Sequence, residues 1–345
     1  MIGFTTAIHD ATEKVLQDYS NSFVMGLGVT YKNGADGTMG ELSGRFPNRV
    51  FDTPVSEATN TGVAIGAAMS GMRPIIHHGR VEFALFAADQ IFTQAAKWNY
   101  MFGGNYPVPL VIRVAIGRQW GNGPQHTGGF LSLFGSTPGL RVVVPSSPNQ
   151  AYQLMLSAVR DNNPVIFLEP RWLYGLSGEV ERADAITPLD KCRIIRSGTD
   201  VTLVSYGDGL LAAYLAAEEI FNQGINAEVI DLVSINPIDY QGVIESVKKT
   251  KRLITVDTTS SAFSVGSEIV SKVTSSRELE LIAKPIQLAC PDVPCPTAPS
   301  LTKNYYPTWP VVANHVLSAF NLERIPTELT FDDLNLAPKI ECPYV

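Results

Sequence analysis

Two successive series of short apolar runs, each run followed by a helical stretch, constrain this chain more than any other feature of its sequence. In the first series Ser22 to Val29, Arg49 to Asp52, Pro74 to His77, Leu110 to Ala115, Leu140 to Val144 and Val165 to Leu168 read as buried strands. Helices are expected over Thr5 to Asp18, where Ile8, Ala11, Val15 and Leu16 share one stripe, from Ser56 onward, over Phe86 to Trp98 and over Pro148 to Arg160. The stretch after Ser56, EATNTGVAIGAAMSG, is rich in Gly and Ala, which weakens it alone but lets a neighbour pack closely. Asn33 to Gly44 is glycine-rich and reads as a loop. In the second series Val201 to Ser205, Ala227 to Leu232 and Leu253 to Asp257 are strand-like. Leu210 to Asn222, Tyr240 to Lys249 and Val265 to Val273 are helical. Such alternation requires a parallel, doubly wound sheet, twice over, so the fold class is α/β. The expected organisation is one domain over residues 1–180, a polar linker within Gly175 to Lys191, a second domain over 190–325, and a tail or strap over 326–345.

Composition narrows the classes of function. A chain of 345 residues can bury two cores, and 45% hydrophobic against 17% charged residues describes a packed globular protein. With a net charge of -7 and no block of Lys and Arg, a nucleic-acid partner is not expected. The densest basic run, Lys248 to Arg252, reads as a solvated helix end. No apolar stretch is long enough for a membrane span, and the N-terminus lacks a signal-peptide pattern. Cys192, Cys290, Cys295 and Cys342 have no metal-type spacing and read as reduced thiols, which points to the cytoplasm or an organelle matrix.

In a doubly wound sheet, ligands lie beyond the carboxyl ends of strands, near helix starts. Glu57 stands at such a place, one residue into the helix that follows Val50 to Asp52. Position alone equally suits an acid that merely complements the helix dipole. His77 and His78 follow a strand, and His126 lies in the loop GNGPQHTGG, held by turns rather than by a core. His9 and His315 fall on expected helices and read as structural. GxSxG, HExxH and Walker patterns are absent.

DTPVSEA (Asp52 to Ala58), ADQI with AAK (Ala88 to Lys97), PVPLVIR (Pro107 to Arg113), PGLRVVVP (Pro138 to Pro145) and DNNPVIFLEP (Asp161 to Pro170) occur in order, with Gln125-His126 among them. The second half adds AAEEI, INAEVIDL, ESVKKTKRLITVD and DVPCP. Together, over roughly residues 3–322, they closely resemble the beta subunits of 2-oxo acid dehydrogenases of the pyruvate, branched-chain and acetoin types. The resemblance implies a transketolase-like pyrimidine-binding domain followed by a transketolase C-terminal-like domain. It implies thiamine diphosphate as cofactor, with magnesium and diphosphate held mainly by an alpha subunit in an alpha2beta2 heterotetramer. The acyl acceptor it implies is the lipoyl group of an acyltransferase or another acceptor. Glu57 matches the family's cofactor glutamate, which hydrogen-bonds a pyrimidine ring nitrogen and favours the imino tautomer, so that the exocyclic nitrogen takes the thiazolium proton. Phe83 matches the aromatic that packs on the pyrimidine, and His126 the active-site histidine that moves a proton or binds the substrate carboxylate. Leu110, Ala158, Asp161 and Asn163 match a structural potassium site of some members.

Gly207-Asp208-Gly209, with Asn236 further on, imitates the GDG and Asn signature by which thiamine enzymes hold magnesium and diphosphate. The surrounding residues are equally a strand, a tight turn and a helix, and the residues after Gly209 do not continue the signature, so Asp208 is read as a turn residue. Three departures from the family matter. Gly26-Leu27-Gly28 lacks the acids that line a proton route, Arg80 after Gly79 replaces an aromatic, and Ser136 replaces a histidine. They suggest altered substrate or acceptor chemistry, with Arg80 either turned to solvent or paired with an anionic group. Two alternatives stay open: a split ketol- or acyl-transferase of specialised metabolism without a lipoyl partner, and a non-catalytic assembly subunit. Retention of Glu57, Phe83 and His126 together counts against the latter.

Overall fold

The computed structural model describes residues 1–118, 122–182, 187–302, 304–329 and 340–345. Gly121 of the histidine loop, residues 183–186 of the expected linker and 330–339 of the expected tail lie outside the described residues. The chain divides into two compact units, Met1–Ile116 with Leu133–Leu189 and Pro338–Val345, and Gly117–Ser132 with Asp190–Ala337.

The first unit is built on six parallel strands: β1 (Ser22–Gly26), β2 (Val50–Asp52), β3 (Arg73–Arg80), β4 (Val111–Ile116), β5 (Arg141–Val143) and β6 (Val165–Pro170). Their spatial order is β5-β6-β4-β3-β1-β2. Strands β4 and β6 are buried along their whole length, which is why they read as unbroken apolar runs rather than as alternation. Helix α1 (Phe4–Asp18) lays Ala7, Ile8, Ala11 and Val15 against α3 (Pro148–Arg160), whose first turn is capped by Ser147 accepting from Gln150 N. Helix α2 (Glu57–Met69) follows β2. The helix expected over Phe86 to Trp98 is instead a 3-10 turn (Leu85–Ala87), a π-helix (Asp89–Ala95) and an α-turn (Ala96–Met101). Just after the π segment the Ala96 carbonyl approaches Gly139, at φ +99°, where any Cβ would overlap it. Residues 340–345 return to this unit, with Cys342 N donating to Ser177 O (2.6 Å) and the Tyr344 hydroxyl to Ser146 O (3.2 Å).

The second unit carries β7 (Arg193–Arg196), β8 (Val201–Ser205), β9 (Ala227–Asp231), β10 (Leu253–Ser260) and β11 (Ile286–Cys290) in the order β11-β10-β8-β9-β7. All are parallel except β7, which runs antiparallel along β9. Helices α4 (Gly207–Phe221), α5 (Tyr240–Thr250), α6 (Val265–Ser275) and α7 (Trp309–Ala319) cover the sheet. Helix α4 starts three residues earlier than the sequence pattern predicts, because Gly207 accepts a left-handed φ of 53° at its entry.

One ion pair lies inside the first unit's core. Arg113 of β4 and Glu169 of β6 are fully buried, Nε to Oε1 at 2.6 Å and Nη2 to Oε2 at 3.0 Å. Arg113 Nη2 also donates to Thr38 Oγ1 (2.9 Å), and the Tyr174 hydroxyl to Glu169 Oε2 (2.7 Å). Removing one charge of such a pair leaves the other buried without its counter-ion. Glu169→Gln is expected to lower stability by about 3–5 kcal/mol in denaturant titrations. A loss below about 1 kcal/mol would mean that water reaches Arg113.

Candidate functional site

The carboxyl ends of β1, β2 and β3 meet at one edge of the first sheet. Gly26 pairs in register with Asp52 on one side and His77 on the other. A Cβ at Gly26 would lie 2.5 Å from the His77 carbonyl oxygen, so the approach needs glycine. The Asp52 carboxylate accepts Thr30 N (3.3 Å) and Thr30 Oγ1 (2.8 Å), which ties the loop after β1 to the end of β2. Asn60, in the first turn of α2, reaches back with Nδ2 to Thr53 Oγ1 (3.0 Å) and Pro54 O (3.1 Å). That clamp holds the turn that presents Glu57. The Ser56 hydroxyl donates to Thr59 Oγ1 instead of capping the backbone. Glu57 is half-buried, and no hydrogen bond or ion pair joins its carboxylate to another described residue. An acceptor held at a helix start and left unused by the fold suits a nitrogen donor on a ligand. Asn60 was missed by sequence reasoning, although an Asn one turn after the glutamate is a signal for such a clamp.

Phe83 lies half-buried in the short helix Val81–Ala84, just beyond a bulge in β3 between His77 and Arg80. The bulge residue Gly79 has φ +70°, and a Cβ there would sit 3.6 Å from Phe83 Cδ2. Unused carboxylate, half-buried ring and small residues together fit an aminopyrimidine. Arg80 is half-buried rather than turned out to solvent. Burial, then the like charge of Arg171, push its guanidinium pKa down against the opposing fields of Glu82 and Asp36. Leu27 is exposed, Gly28 has φ +73°, and exposed Ser136 donates to Leu133 O (3.4 Å).

Behind this edge sit two buried histidines. His78 Nε2 meets Thr61 Oγ1 of α2 at 2.8 Å, and burial pushes its imidazole down to about 4. His77 is held well below the ordinary range by burial first, then by the positive fields of Arg113, His78 and Arg171. Both are neutral near pH 7.

Leu110 precedes β4, while Ala158 lies near the end of α3 and Asp161 and Asn163 in the corner that follows it. Leu110 O accepts Val165 N (2.8 Å), and Asp161 Oδ1 accepts Asn163 N and Nδ2, each at 2.7 Å. The corner is rich in oxygen, but cations of the chain already answer part of it. Arg73 donates to Val159 O (2.5 Å) and Asp161 O (3.2 Å), and Arg141 Nε lies 3.3 Å from Asp161 Oδ2.

His126 belongs to the second unit, half-buried on the 3-10 turn Pro124–His126. The turn is anchored by Gly123, where a Cβ would meet Thr297 Oγ1 at 2.7 Å, and by Gly117 N donating to Gly128 O (3.1 Å). In the same unit Asp208 is buried and occupied. Its Oδ1 accepts Thr258 Oγ1 (2.9 Å), and Oδ2 lies 3.4 Å from Arg118 Nε. The Arg118 guanidinium stacks over Tyr306 at 4.7 Å. Gly209 gives room for Ser205 Oγ, which a Cβ would meet at 2.6 Å. The glycine–aspartate–glycine stretch is therefore helix packing, with no carboxylate left over for a metal. Among the described residues no group of three or more His, Cys, Asp or Glu could hold a metal ion, and no helix is long and apolar enough to cross a membrane.

The chain matches the transketolase pyrimidine-binding domain over residues 1–177 and the transketolase C-terminal domain over residues 190–312. It is 43% identical over 299 residues to the pyruvate dehydrogenase E1 component subunit beta of Rhizobium meliloti, covering 86% of this chain and 65% of that protein, about two thirds of its length. It is 37% identical over 313 residues to the acetoin:2,6-dichlorophenolindophenol oxidoreductase subunit beta of Cupriavidus necator, covering 88% and 92%. The mitochondrial pyruvate dehydrogenase E1 subunit beta of Saccharomyces cerevisiae is 38% identical over 324 residues, covering 92% and 88%. Among solved structures, a split-gene transketolase in an inactive beta4 tetramer superposes with a TM-score of 0.76 at 23% identity, covering 94% of this chain and all of that one. A transketolase mutant from Pichia stipitis gives 0.69 at 16%, covering 92% and 46%. These two likenesses establish the fold.

The geometry predicts two outcomes. A histidine whose folded pKa lies below its unfolded value binds its proton only after unfolding, so stability falls as pH drops from about 6.5 toward 4. His78 alone accounts for up to about 3 kcal/mol of that loss, and His78→Gln should flatten the pH dependence of the denaturation midpoint. An unchanged slope would show that His78 is protonated in the fold. Asp208→Ala should lower the melting temperature of the second unit. Calorimetry on the unaltered chain alone should show no magnesium-dependent thiamine diphosphate binding in the micromolar range, about 8 kcal/mol. Tight binding that Asp208→Ala abolishes would instead make the stretch a cofactor site.

Proposed function

Because this chain belongs to the family of transketolase-like beta subunits of the pyruvate and acetoin dehydrogenase type, we propose that it is the beta half of a thiamine-diphosphate-dependent 2-oxo acid dehydrogenase. It decarboxylates a 2-oxo acid together with an alpha subunit, in an alpha2beta2 assembly, and passes the acyl unit to lipoyl-lysine or a comparable acceptor. The observation that carries this reading is Glu57: a half-buried carboxylate at the first residue of α2, unused by other described residues and clamped in place through Asn60. Thiamine diphosphate, when bound, supplies the nucleophilic carbon and the electron sink for decarboxylation. Glu57 accepts a hydrogen bond from the protonated pyrimidine nitrogen and so sets the proton inventory of that ring. Phe83 offers the ring an apolar face, His126 moves a proton or holds the substrate carboxylate, and Arg80 pairs with an anionic group. The diphosphate and its magnesium belong to the alpha subunit, since Asp208 is occupied within this chain. A potassium ion at the corner of Leu110, Ala158, Asp161 and Asn163 belongs to the same reading, supported by the oxygen-rich donor set. The relatives include bacterial and mitochondrial proteins, consistent with work in the cytoplasm or an organelle matrix. The transferase and assembly-subunit alternatives have less support, because the similar proteins are dehydrogenase subunits.

The test is Glu57→Gln in the alpha–beta complex. Proton exchange at the reactive carbon of the cofactor should slow by about a hundredfold or more, the usual scale for a positioned acid or base. Assembly should survive, because a helix-start acid contributes only about 1 kcal/mol. Exchange at the unaltered rate would refute the assignment.

A further inference from the structure

Residues Gly117–Ser132, which carry His126, pack within the second unit. Their two ends are seated on successive residues of β10. At one end Arg118 is buried, with Nε 3.4 Å from Asp208 Oδ2 and its guanidinium 4.7 Å from the centre of the Tyr306 ring. Asp208 is held in turn by Thr258, whose hydroxyl donates to Oδ1 at 2.9 Å. At the other end a Cβ on Gly129 would meet Thr259 Cγ2 at 2.6 Å, so the chain lies directly on that methyl. Thr259 is itself fixed, because its N and Oγ1 both donate to Asp257 Oδ1, at 2.8 and 2.6 Å. Asp257 is buried and also accepts the Tyr206 hydroxyl (2.6 Å) and Gly266 N (3.2 Å).

A doubly wound sheet normally offers this place to a ligand. The chain passes from β8 to β9 on one side and then to β10 on the other, so the carboxyl ends of β8 and β10 flank the switch point. Here the loop's own guanidinium meets a carboxylate and an aromatic face, the contacts that a bound cation would make.

Between the two ends the turn hangs from Gly123, whose carbonyl accepts both His126 N (3.2 Å) and Thr127 Oγ1 (2.9 Å). From Asn122 to Phe130 only Gly123 is buried, so the turn has no buried side chain to fix it to the unit. The close approaches of Gly123 to Thr297 and of Gly129 to Thr259 set how near the loop can come. The buried Arg118 pair supplies attraction.

We propose that Arg118 is a positioning residue for His126: its guanidinium, seated between Asp208 and Tyr306, fixes the loop that presents the imidazole. The inference rests on the role proposed above for His126 and adds what sets its place.

The test uses the full chain with carbon-13-labelled histidine. The chain has five histidines, and His126→Gln identifies the signal of interest. Arg118→Met keeps a stem over Tyr306 without the charge, and it should move or broaden the His126 signal while those of His77 and His78 stay. Hydrogen exchange over residues 122–132 should quicken about tenfold or more. Arg118→Lys keeps the charge opposite Asp208 and should return both readouts most of the way, which a general loss of structure would not allow. In an active alpha–beta complex Arg118→Met should lower kcat about tenfold or more, and the double variant should be no slower than His126→Gln alone, since both changes act through one imidazole. A His126 signal and exchange unmoved in Arg118→Met, a lysine variant as disturbed as the methionine one, or fully additive losses of kcat each overturn the assignment. A displaced His126 signal in a chain whose complex is inactive on every 2-oxo acid would sink the dehydrogenase reading and leave the anchor standing.

Discussion

The pairing of Arg113 with Glu169 is the interaction on which the first unit's functional edge depends. It spans two neighbouring central strands, and its remaining hydrogen bonds go to Thr38 in the glycine-rich loop and Tyr174 beyond β6. One buried pair therefore sets the positions of three separate segments. Those segments carry Asp36, Arg171 and the carboxyl ends of the strands. Burying two charges costs several kcal/mol per ion, recovered only when geometry and hydrogen bonding are both good. Here both carboxylate oxygens and both sides of the guanidinium are engaged. Burial, and after it the Glu169 carboxylate, push the Tyr174 hydroxyl well above the ordinary phenol range, so it serves as a fixed donor.

Much of the fold was legible because the central strands are buried on both faces. Val165 to Leu168 and Val201 to Ser205 could hardly be anything else, and α3 announces itself with Ser147, Pro148 and a capped first turn. The elements that escaped notice did so for physical reasons. Strand β7 is a four-residue edge, RIIR, with no apolar run, and β11 is half-exposed along much of its length. Helix α7 opens with Trp309-Pro310, where proline masks a start it in fact favours. The π-helix at Asp89–Ala95 violates the 3.6-residue period on which helix recognition rests.

The candidate site was legible in the residues that carry the resemblance and opaque in their supports. Glu57 stands out by its place at a helix start after a strand, whereas Phe83 and Arg80 are singled out only by comparison with the family. Asn60, Thr61 and Arg171 act on residues distant in sequence or through the backbone, and spacing says nothing of such contacts. Asp208 shows the converse. Its glycine neighbours look like phosphate-binding residues, yet Gly209 is small because Ser205 and the Val256 carbonyl leave no room, and Gly207 takes a left-handed φ of 53° at the helix entry.

The π-helix has a consequence for how the chain tolerates changes in length. Its wider ring holds one residue more per turn than an α-helix. Asp89–Ala95 is thus a place where a single residue can be lost without breaking the helix. Such a deletion would be absorbed as the π-turn closes to an α-turn, whereas in a regular helix it would rotate everything after it by roughly 100°. Trp98 and Phe102, whose rings lie 4.8 Å apart, would keep the face they hold. Changes of one residue in length at this point would thus leave both the aromatic surface and the strands in register.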